Sequence, residues 1–132
     1  MKKIISAKLA GQIVLYILAA LLIMHFLIIF RIIPLQIVWG GQIDDAGSNL
    51  LFLEVIAISA TVLFMVLIGL KMQNLKNSRS NLLINAGTWA VFLYFVVNTI
   101  GNFASAVLLE NLLFGAVTIL LSLLVFRVAI EK

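Results

Sequence analysis

The sequence predicts an all-α integral membrane protein: one bundle of four antiparallel transmembrane helices, with both termini on the cytoplasmic side. Three observations carry that expectation. The 132 residues are 64% hydrophobic and only 11% charged, with a mean hydropathy of +1.25, beyond the range of ordinary soluble domains. Four apolar segments are each long enough to cross a hydrocarbon core of about 30 Å, which takes ~20 residues. Lys2, Lys3, Lys8, Lys71, Lys76, Arg79, Arg127 and Lys132 fall on one side of a four-pass drawing and Arg31 alone on the other. That bias marks the cytoplasmic face.

The first segment, Leu9–Phe30, follows the basic start "MKKIISAK". Its apolar run is longer than the core of a secretory signal, and no small-x-small cleavage site leads into a polar region, so it reads as a retained helix. At 1.5 Å per residue, His25 lies roughly 24 Å from the cytoplasmic end. The connection "RIIPLQIVWGGQIDDAGSN" follows. Pro34 is expected to stop the first helix, Gly40 and Gly41 to allow a turn, and Trp39 to sit at headgroup level. With Asp44 and Asp45 it makes a structured outward loop that folds back as a lid, and Ser48 or Asn49 caps the second helix.

The second segment, Leu50–Leu70, carries Glu54 about 6 Å inside its outer end, with Ala57 and Thr61 on the same side. The loop "KMQNLKNSRSN" returns the chain on the cytoplasmic side. In the third segment, Leu82–Phe103, and just beyond it, Gly87, Tyr94, Asn98, Gly101, Asn102 and Ser105 form a small and polar stripe, and Asn98 lies as deep as His25. The fourth, Leu108–Ile130, opens with Glu110 at the level of Glu54, and its Gly115, Thr118 and Ser122 offer a surface for close helix approach. Residues 1–132 form one domain, since short connections leave no room for a second.

Each polar residue has an ordinary explanation of its own. An acid in the first turn of a helix is favoured by the helix dipole, an arginine at a helix end anchors to the interface, and asparagines bridge helices. Their coincidence at one level is less ordinary, because polar groups in lipid are costly unless they are paired. Arg31, Glu54, Asn98, Asn102, Glu110 and His25, with Trp39 in the lid above them, are therefore the candidate ligand-binding set. Arg31 or His25 is expected beside the acids.

The leading functional expectation is an outward-facing polar pocket that binds or transports a small solute or lipid headgroup, in a bacterial-type inner membrane. Arg31 would meet an anionic group, and the two acids a cation or proton. The alternative is an accessory or assembly subunit whose polar cluster only locks the bundle, with small-residue stripes that contact a second copy or a larger membrane partner. An enzyme acting on a lipid, with Glu54 or Glu110 as general base, ranks last, because no nucleophile constellation or phosphate loop supports it. No cofactor or metal is expected. The absence of cysteine excludes dithiol chemistry, thiolate metal sites and cysteine lipidation, and one histidine cannot form a bis-histidine haem site. The net charge of +4 needs no nucleic acid, because it is mostly topology, helped by anionic membrane lipid.

Overall fold

A computed structural model of the protein describes residues 4–34 and 48–132. They contain four helices: α1 (Ala7–Ile29), α2 (Ser48–Lys76), α3 (Leu82–Ala104) and α4 (Gly115–Ala129), the last entered through a π-helical turn at Glu110–Phe114. All four, α4 counted with its π turn, are long and apolar enough to cross a membrane. The expected lid, with Trp39, Gly40, Gly41, Asp44 and Asp45, lies outside the described residues.

Local chemistry sets the helix ends. Ser6 caps α1 by accepting from the Leu9 N–H at 3.2 Å. Asn81 caps α3 by accepting from the N–H groups of Leu83 and Ile84 at 2.9 and 3.2 Å. These side chains replace carbonyl partners that the first turn lacks. Helix α1 ends differently from the expectation. Its stop comes before Pro34: Arg31 adopts a left-handed conformation with φ 57°, its N–H bonds to Ile28 O, and the Ile32 N–H bonds to Leu27 O. This paired hydrogen-bond pattern usually puts glycine at the left-handed position. The proline follows a helix that has already closed.

Helix α2 overruns the expected Leu70 boundary by six residues, to Lys76. Hydropathy falls off at Lys71, but lysine, glutamine and methionine are good helix formers, so the backbone continues. It closes with the same pattern as α1, with Ser78 at φ 50° and the Arg79 N–H bonded to Asn74 O.

The helices pack in the ring order α1, α2, α3, α4, with α1 closing against α4. Their shared core includes Ala10, Val14, Leu18, Ile68, Val91, Phe95, Leu121 and Val125. Below it, at what we call the basal end, lie two buried cations that the sequence marks only as topology signals. The Lys71 ammonium, on a residue 3% exposed, donates to Asn85 Oδ1 at 2.8 Å and to the Glu131 carbonyl at 2.7 Å. Arg127, equally buried, donates from Nε to the Ile5 carbonyl at 2.8 Å and from Nη1 to the Glu131 carboxylate at 2.7 Å. Buried cations are tolerated only when their donors are used in this way. The two networks tie parts of all four helices, or the residues flanking them, into one end of the bundle.

Candidate ligand-binding cavity

Above the core, at the opposite or apical end, the four helices diverge around a partly open cavity of about 180 Å³. Leu18 and Phe95 belong both to the core and to the cavity wall, so the packed interior forms its floor. On α2 the lining follows Glu54, Ala57, Thr61 and Phe64, a 3-4-3 spacing that keeps one helix face turned inward. That run covers roughly 15 Å of helix and brings the cavity from the apical third to the middle of α2.

Five of the seven residues singled out in the sequence line this space: His25, Glu54, Asn98, Asn102 and Glu110. Glu54 is fully buried, and its Oε2 lies 2.8 Å from His25 Nδ1. This short contact joins the end of α1 to the start of α2. Across the cavity the amides form a chain: Asn102 Nδ2 donates to Asn98 Oδ1 at 3.2 Å and to Thr118 Oγ1 at 3.3 Å, while Asn98 Nδ2 donates to the Tyr94 hydroxyl at 3.3 Å. Spacing of four residues places Tyr94, Asn98 and Asn102 above one another on α3. Thr118 anchors the chain on α4 and donates to the Phe114 carbonyl at 2.8 Å.

Glu110 is held by the turn between α3 and α4. Ser105 accepts from the Val107 N–H at 3.1 Å and donates its own hydroxyl to Glu110 Oε2 at 2.5 Å. The Asn111 amide donates to the Phe103 carbonyl at 2.9 Å. The π-helical turn begins at Glu110, and it brings both Glu110 and Phe114 to the cavity wall. Such wide turns lie often at functional sites.

The remaining two candidates are placed otherwise. Arg31 is exposed and does not line the cavity. Among the described residues no ion pair joins it to either acid; the left-handed turn that ends α1 carries it away from them. His25, one turn and a half earlier, takes the position beside Glu54. Trp39 lies outside the described residues.

On the aromatic side of the wall, Tyr94 belongs to the polar stripe read from the sequence, but Phe64 and Phe95 were not marked there. Phe64, Tyr94 and Phe95 line the cavity together, with ring centroids 4.8 Å apart for Phe64 and Tyr94, 5.7 Å for Phe64 and Phe95, and 5.4 Å for Tyr94 and Phe95. Phe64 is the next step of the Glu54, Ala57, Thr61 series, so extending that face by three residues would have found it. Among the described residues, no three His, Cys, Asp or Glu side chains gather in a way that could hold a metal ion. The chain matches no protein-family model, and no curated protein or solved structure is significantly similar to it.

Proposed function

We propose that this chain is a four-pass membrane protein whose apical cavity binds a small solute or the polar head of a lipid, either to carry it or to hold it. The observation that carries this reading is the convergence of His25, Glu54, Asn98, Asn102 and Glu110 on one partly open space. Four helices supply polar groups to a cavity that packing could instead have filled with apolar side chains. Typical ligand pockets combine apolar walls with a few converging polar groups, and this one reaches mid-bundle, where membrane carriers commonly hold their cargo.

In this reading successive helices run antiparallel, which fits the contacts between the end of α1 and the start of α2 and between the end of α2 and the start of α3. The basal end faces the cytoplasm of a bacterial-type inner membrane, on the strength of the basic-residue bias. Outward-pointing Tyr16, Phe52, Val97 and Leu123 suit a lipid-facing exterior.

Binding is tested by filling the space. Ala57→Phe places a ring in the cavity, and a small-molecule panel is screened by thermal shift on the full chain in detergent. Compounds that stabilise the wild type and leave Ala57→Phe unshifted support the pocket. If no compound acts, or if both proteins respond alike, the reading falls.

The accessory-subunit reading is favoured by one observation: His25 with Glu54, Asn102 with Asn98 and Thr118, and Ser105 with Glu110 bond to one another, as a purely structural lock would. It expects Ala57→Phe to retain full biological activity and the protein to co-purify with a larger membrane partner.

A further inference from the structure

We infer that the cavity selects a small organic ammonium, a protonated amine or quaternary nitrogen carrying apolar substituents. This rests on the cavity being a binding pocket, and three features of its wall narrow the ligand class.

The first is charge. Among the described residues the lining holds two carboxyl side chains, Glu54 and Glu110, one imidazole, His25, and no lysine or arginine. Arg31 is exposed and outside the wall, while Lys71 and Arg127 are committed to carbonyl, amide and carboxylate oxygens at the basal end. Acidic side chains thus outnumber basic ones in the described lining, a bias toward negative charge. In a low-dielectric interior that charge favours a cation and opposes an anion.

The second is the aromatic wall. Phe64, Tyr94 and Phe95 stand in mutual contact along the cavity, and Phe114 lines it beside Glu110. Ring faces attract a cation within about 6 Å, and they prefer one whose substituents also gain from apolar contact. A bare metal ion gains little from such a wall and asks for several oxygen ligands at once. A substituted ammonium uses both the carboxylates and the rings.

The third is size. The cavity of about 180 Å³ has space on the order of ten water molecules, which suits a compact ligand rather than a long one.

The test compares three probes of nearly the same shape: choline, its uncharged carbon isostere 3,3-dimethylbutan-1-ol, and the anion pivalate. Each is titrated calorimetrically into the full chain in a neutral detergent. We expect choline to bind about tenfold more tightly than the uncharged isostere, a difference of about 1.4 kcal/mol. Glu110→Gln should remove most of that preference while leaving the isostere unchanged. Should Glu110→Gln fail to fold, Tyr94→Leu serves in its place: Tyr94 is 44% exposed, so the change is tolerable to the core, and it should lower choline affinity selectively. Equal binding of choline and the isostere, or tighter binding of pivalate, overturns the ammonium assignment and leaves the pocket reading intact. Absence of binding by all three at millimolar concentrations overturns the ammonium assignment, and the Ala57→Phe screen then decides the pocket separately.

Discussion

Replacing both members of the His25–Glu54 pair should damage the protein less than the two single changes together. The acid is fully buried and its oxygen lies 2.8 Å from the imidazole nitrogen. Leaving a buried hydrogen-bonding group without its partner costs about 1–3 kcal/mol, and breaking one side of a buried pair in soluble proteins costs up to about 3–5 kcal/mol. Hydrogen-bonded pairs within membranes couple more weakly, at most about 1.7 kcal/mol in double-mutant cycles, because the unfolded chain also finds partners there. We therefore expect His25→Leu and Glu54→Leu each to cost about 2–3 kcal/mol, and the double variant to recover about 1.5 kcal/mol of their sum. Apolar replacements are chosen so that no new hydrogen bond contaminates the cycle, and any other contact of Glu54 is lost equally in both of its variants. Unfolding is followed by circular dichroism in mixed micelles as the fraction of denaturing detergent rises. Additivity within about 0.5 kcal/mol, the usual scatter for independent sites, would refute the pairing. The matched cycle of Arg31→Gln with Glu54→Leu should be additive, since Arg31 stands away from the acid.

Arg31 carries strain that glycine would not, so Arg31→Gly should leave stability unchanged or raise it by up to about 1 kcal/mol; a clear loss in the same unfolding assay would mean that the guanidinium has a structural partner. The glycines of the bundle should divide by surroundings: a methyl added at Gly115 would sit 3.0 Å from the Phe103 ring, whereas one added at Gly69 meets nothing within 4 Å. Gly115→Ala should cost about 1–2 kcal/mol and Gly69→Ala should gain about 0.5–1 kcal/mol, and identical melting of the two variants would contradict the packing. The natural absence of cysteine makes topology directly measurable. A cysteine replacing Asp45 should react with an impermeant thiol reagent in intact cells and one replacing Arg79 only after permeabilisation; the reverse pattern would invert the proposed orientation.

Helix number and most of the cavity wall were legible because they depend on periodicity alone. Apolar length marks four spans, and spacing of three or four puts Glu54, Ala57 and Thr61, or Tyr94, Asn98 and Asn102, on single faces whatever the tertiary packing. Three things were hidden for physical reasons. Arg31 looked as good a partner for the acids as His25 because it shares their level, but a backbone turn with positive φ ends α1 at Arg31, and arginine gives no warning of that conformation. Lys71 looked like the first loop residue because hydropathy counts its charge, whereas Asn85 and the Glu131 carbonyl make a buried place for it that only the assembled bundle provides. The phenylalanines of the aromatic wall were invisible because, in so apolar a chain, they carry no contrast. Phe64 and Phe95 differ from their neighbours only by facing the cavity.

The bond between Arg127 and the Ile5 carbonyl spans 122 positions of the chain, and this has a consequence for how the protein is made. Synthesis runs from the amino end, so the Ile5 carbonyl emerges long before its donor exists. Until residue 127 leaves the ribosome, the basal end is open and the first three helices have only one another to hold. Glu131, which engages both Lys71 and Arg127, comes later still. The residues at the end of α4 thus clasp those that precede α1, and a chain interrupted before residue 127 would lack the bond that joins them.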